Sequence, residues 1–123
     1  EVFDIWRRNI VDLARCPNVS IKLSGLGMRL GGFGFEEQPR APSSIELAEA
    51  WRPWIETCVE AFGAGRCMWG RNFPVDKGSH SLANGLNALK RLVAAASDDD
   101  KDAIFWRTGR DLYGLTVTGL QAQ

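Results

Sequence analysis

The stretch "RCMWGRNFPVDKG", residues 66–78, decides how this chain is read. Its first five residues form a short apolar strand stopped by Gly70. The remainder sets Arg71, Asn72 and Asp76 around Phe73-Pro74. Charged and amide side chains gathered directly beyond a buried strand mark the mouth of a site, because binding and catalytic groups concentrate on loops held by a rigid scaffold.

Working outward toward the N-terminus, Gly63 and Gly65 stop a helix that starts at the capping box Ser43-x-x-Glu46. That helix carries Leu47, Trp51, Ile55, Cys58, Val59 and Phe62 at helical spacing. Pro53 is expected to divide it in two, since proline is tolerated only near a helix start. Residues 25–42, "GLGMRLGGFGFEEQPRAP", are glycine-rich and without period; a loop of that length in a compact domain is usually functional or disordered. Before it, "NVSIKLSGLG" alternates Val19, Ile21 and Leu23 with Ser20, Lys22 and Ser24, which reads as a strand over 19–24. Residues 3–15 place Phe3, Trp6, Ile10, Leu13 and Ala14 on one helical face.

Toward the C-terminus, the loop runs to about residue 80. A helix follows over 81–96 with Leu82, Leu86, Leu89, Leu92 and Val93. Ser97-x-x-Asp100 caps a last helix that Gly114 stops, and residues 116–123 are read as a frayed tail. Strands alternating with helices predict βαβ units and parallel pairing. Two parallel strands do not make a self-sufficient fold, because parallel sheets are covered on both faces. The pattern is that of the end of a larger α/β barrel, which needs about 250 residues.

Composition narrows the function. The chain has 123 residues with fifteen basic and fifteen acidic side chains, so it lacks the clustered positive charge of a nucleic-acid binder. No apolar run reaches the roughly 18–20 residues of a membrane span. The chain begins with Glu1, not Met, which we read as a cut N-terminus. Cys16, Cys58 and Cys67 form no CxxC pair and read as reduced core thiols in a cytoplasmic protein. The glycines of 25–34 do not match GxGxxG and no P-loop lysine follows, which argues against a nucleotide site.

Three segments, "LARCPNVSIKLSGLG", "WRPWIETCVEAFGAGRCMWGRNFPVDKG" and "AIFWRTGRDLYGL", together resemble the C-terminal part of the amidohydrolase 2 family, the TIM-barrel relatives of dicarboxylate and sugar lactonases. The resemblance covers residues 4 to 115 and implies an α/β fold in which 1–115 form the C-terminal segment of a (β/α)₈ barrel. Residues 19–24 and 66–70 would be its seventh and eighth strands, with Gly25–Arg29 and Arg71–Asp76 facing the catalytic mouth. It further implies hydrolysis of a lactone or similar cyclic ester or amide of a small carboxylated or sugar-derived substrate. A divalent metal, zinc, would be held by histidines upstream of these residues. The alternatives are a non-catalytic fragment that pairs with another chain, or itself, through open barrel edges, and a decarboxylase or hydratase of the same superfamily.

Residue by residue, Asn72 stands where many relatives carry an aspartate acting as general base. An amide cannot take that proton at neutral pH. Asn72 therefore reads either as a hydrogen-bonding site residue or as a turn-former before Phe73-Pro74. Asp76 is the carboxylate that would stand in for it, or else a solvated acid beside Lys77. The resemblance makes Arg29 a grip for a substrate carboxylate, with a solvated loop arginine as the other reading. Ser24 and Arg71 are its companions on the substrate side, with a surface role open for Arg71. Lys22 reads as a buried, paired lysine. His80, the only histidine, reads as an ordinary residue near a helix start, since one imidazole cannot build a zinc site.

Overall fold

The computed structural model describes residues 1–116; the expected tail beyond Thr116 lies outside the described residues. The main elements are α1 (Val2–Ala14), β1 (Ile21–Leu23), α2 (Ser44–Phe62), β2 (Cys67–Trp69), α3 (Leu82–Leu92), α4 (Asp98–Asp102) and α5 (Thr108–Tyr113). β1 and β2 pair in parallel with Ile21 opposite Cys67, Lys22 opposite Met68 and Leu23 opposite Trp69. This is the parallel pairing predicted from the alternation of strands and helices. Both strands are shorter than the sequence suggests, because Val19 and Ser20 approach β1 outside the ladder.

α2 organises the core. It lies against both strands and between α1 and α3. Leu47, Ala48, Trp51, Ile55, Cys58 and Phe62 form its buried stripe and meet Leu23, Cys67, Leu89 and Ile104. Its start follows the capping box: the Ser43 hydroxyl accepts from the Glu46 N–H, and the Glu46 carboxylate accepts from the Ser43 N–H at 2.8 Å. Pro53 does not divide the helix. Pro53 and Glu49, whose carbonyl loses its intrahelical donor, both sit on the exposed side, where a carbonyl without that donor is not shut away from solvent.

Four further expectations change. The loop after β1 is not featureless: it holds short 3₁₀ turns at Arg29–Gly31 and Phe35–Glu37. The last helix is interrupted by a π turn, Ala103–Arg107, between α4 and α5. Lys22 is exposed, not buried, with its ammonium 5.4 Å from the centre of the Tyr113 ring. Cys16 is also exposed, whereas Cys58 and Cys67 are buried. Burial pushes the Cys58 thiol up to about 11 and the Cys67 thiol up to about 12, so neither is a nucleophile at neutral pH.

Candidate functional site

The C-terminal ends of β1 and β2 open onto one cavity of about 30 Å³. Residues 23–27 after β1 form one wall, and Trp69–Arg71 with Phe73 form a second. α2 contributes Trp51 and Ile55, and α3 contributes Gly85, Leu86 and Leu89. Asp76 and His80 complete the lining. The chain bends into this geometry through Gly25, which adopts a left-handed φ of 77°, and through the turn Val75–Gly78 that follows a cis Phe73-Pro74 bond.

Asp76 is the carboxylate at the centre. It is 4% exposed, so it is not the solvated acid beside Lys77 that the sequence left open. Its Oδ2 accepts from the Asn72 N–H at 3.0 Å, while the Asp76 N–H donates to the Asn72 carbonyl at 2.9 Å. Asn72 therefore closes the turn through its main chain. Asp76 Oδ1 is buried without a hydrogen-bond partner.

His80 lies one helical turn on, and here the sequence reading falls short. The imidazole is not an ordinary helix-start residue but is buried, 5% exposed, at the cavity wall. Its Nδ1 lies 3.2 Å from the buried Ser79 hydroxyl. Its ring meets those of Trp51 and Phe73 edge-on, at centroid distances of 5.1 and 6.0 Å. Two glycines make room for it. A Cβ on Gly85 would stand 2.7 Å from His80 Nε2, and one on Gly27 would stand 2.6 Å from Cε1. The same Gly27 Cβ would lie 2.9 Å from Asp76 Oδ1. Burial lowers the His80 pKa, and the Asp76 charge opposes that shift. The signal in the sequence was the Asp76-x-x-x-His80 spacing, with Gly27 and Gly85 legible only once the fold brings them to one ring.

The expected substrate residues are dispersed. Ser24 and Arg71 line the cavity, Arg71 on its exposed rim. Arg29 does not reach it. Its guanidinium instead pairs with Glu36 at 3.5 Å and Glu37 at 3.1 Å on the surface. Among the described residues, no three His, Cys, Asp or Glu side chains cluster as a metal site would require.

Known proteins share this fold. The profile of the amidohydrolase family matches residues 1–115. The protein y4mH of Sinorhizobium fredii is 34% identical over 111 residues, which is 90% of this chain and 33% of y4mH. The crystal structure of an amidohydrolase from Burkholderia multivorans with bound zinc superposes with a TM-score of 0.79 at 24% identity. A second crystal form with bound HEPES gives 0.75 at 24% identity. Each superposition covers 93% of this chain and 38% of the solved one, so the chain spans little more than a third of the relatives it matches.

Proposed function

The chain belongs to the amidohydrolase family, and on that premise we propose that it supplies the last two strands and the catalytic-face loops of a (β/α)₈-barrel hydrolase. The reaction we assign to the whole enzyme is hydrolysis of a lactone, or a similar cyclic ester or amide, of a small carboxylated or sugar-derived substrate. The observation that carries this reading is the buried Asp76, which lines a cavity at the C-terminal ends of two parallel strands and whose Oδ1 has no hydrogen-bond partner. Active sites of such barrels occupy that end.

In this reading Asp76 accepts the proton of a water that attacks the ring carbonyl, the role the Asn72 amide cannot fill. Asn72 holds the Asp76 carboxylate through its N–H at Oδ2. The ring C–O or C–N bond then breaks, and the leaving oxygen or nitrogen takes up a proton. Ser24 and Arg71 meet the substrate at the rim, the guanidinium facing a carboxylate or ring hydroxyl. Arg29 joins them only by exchanging Glu36 and Glu37 for a substrate carboxylate. Zinc takes three or four protein ligands. Asp76 and His80 offer two, so the described residues do not make a zinc site by themselves and no step is routed through one. A metal in the whole enzyme, as in the Burkholderia multivorans structure, would draw its remaining ligands from polypeptide outside this chain. The free buried thiols support a reducing, cytoplasmic setting. No helix among the described residues is long and apolar enough to cross a membrane.

The test is a chimera of y4mH in which residues 1–115 replace the matched segment, assayed beside y4mH and this chain on sugar-acid and dicarboxylic lactones. We expect turnover by y4mH and the chimera, none by this chain alone, and a loss of about 100-fold or more in Asp76→Asn. Lactones untouched by y4mH and chimera, or a chimera indifferent to Asp76→Asn, would overturn the reading.

A further inference from the structure

Among the described residues β1 is paired on one side only. Leu23 turns its main chain toward β2, where its carbonyl accepts from the Gly70 N–H at 3.4 Å. Successive residues of a parallel ladder alternate in direction, so the Lys22 N–H and C=O point to the opposite edge. Main-chain groups presented in this way are a template for a further strand. That edge gives onto a groove of about 500 Å³, lined by β1, by Trp6 and Ile10 of α1, and by Met28 and Leu30 of the loop after β1. Trp6 and Ile10 are only half-buried, and Leu30 is 92% exposed. Among the described residues Lys22 is the one charged side chain in the lining. A small-molecule site would gather several convergent polar groups; this surface calls for an apolar cover.

The free main-chain groups of Lys22 select a strand as that cover. The topology selects its direction. α1 leads into β1 and also lines the groove, so a strand seated there parallel to β1 completes a βαβ unit with α1 as its crossover. Relatives carry the polypeptide for it, since the matched part is 33% of y4mH and 38% of the solved amidohydrolase. We propose that this edge and groove seat a parallel β-strand from the part of an amidohydrolase chain outside the matched segment. Its main chain pairs with Lys22, and its apolar side chains on one face cover Trp6, Ile10 and Leu30. The inference rests on the barrel reading and deepens it by naming the surface through which this chain joins the rest. Without that strand a second copy meets the same edge, an association that dilution removes.

The experiment is residue-resolved hydrogen–deuterium exchange on the full chain at dilution and on the y4mH chimera. We expect the Lys22 N–H to exchange at least about 100-fold more slowly in the chimera, with the Leu23 N–H protected in both. A Lys22 N–H already protected in the dilute chain, or still fast in a chimera that protects Leu23, overturns the proposal. If the chimera does not protect Leu23, overlapping synthetic peptides covering y4mH outside the matched segment are added to the dilute full chain. Slowed Lys22 exchange with one of them, lost in Leu30→Lys, supports the proposal, and no slowing with any of them overturns it. The readout is main-chain protection, so a chimera that protects Lys22 but hydrolyses no lactone counts against the catalytic reading alone.

Discussion

Gly85 and His80 oppose one another energetically. Inside a helix, alanine is better than glycine by about 1 kcal/mol, yet a methyl at residue 85 would stand 2.7 Å from His80 Nε2. Gly85→Ala should therefore destabilise the chain by about 1–3 kcal/mol through overpacking. In a His80→Ala background the same change should stabilise by up to about 1 kcal/mol, and urea midpoints of the four species measure the coupling. His80 also sets a pH dependence. Its pKa is lowered in the fold, chiefly by burial, so just below the ordinary value of 6.5 the unfolded chain binds a proton that the folded chain does not. Stability is then fully present above pH 6.5 and falls as pH drops through the window beneath it. His80→Asn should flatten that limb in denaturant titrations, which no other histidine can confuse. Asp76 was legible in the sequence as a candidate because it follows a strand end. The roles of His80, Trp51 and Gly27 were not, because they come from three separate elements and meet only in the folded chain.

At the scale of elements, the sequence announced what local chemistry decides. The capping box at Ser43, the alternation in β1 and the glycine stop at Gly114 all stand where their residues put them. What it did not announce depends on tertiary surroundings: an unbroken α2 despite Pro53, a π turn after α4, and 3₁₀ turns in the glycine loop. Arg66 belongs to the same class. Its guanidinium donates to the carbonyls of Ala14 at 2.9 Å, Cys16 at 3.0 Å, Val19 at 3.2 Å and Phe62 at 3.1 Å. One side chain thus serves the open carbonyl end of α1, the approach to β1 and the end of α2. Lysine presents one ammonium where arginine presents a planar fork. Arg66→Lys should cost about 2 kcal/mol, read as a lowered urea midpoint with an unchanged slope.

At the scale of the molecule, the parallel pair β1–β2 is the whole sheet among the described residues. Parallel strands are ordinarily covered and continued by neighbours, and an open edge offers unpaired backbone groups to any strand that fits. Val2, Met28 and Leu30 stay exposed on a groove that runs beside β1. We expect the purified chain to self-associate, with a sedimentation mass that rises above 13.6 kDa as concentration increases. A constant monomer mass over the same range would count against edge pairing. The Arg66 cluster has a further consequence in time. It joins residues 47 to 52 positions apart in sequence, the same long reach that the β1–β2 ladder must close. Closing such a loop is the slow, entropically uphill step of folding. An arginine that collects carbonyls from both ends of that loop is placed to hold the strand starts together before the ladder zips, so Arg66→Lys is expected to slow refolding more than it speeds unfolding in a chevron measurement.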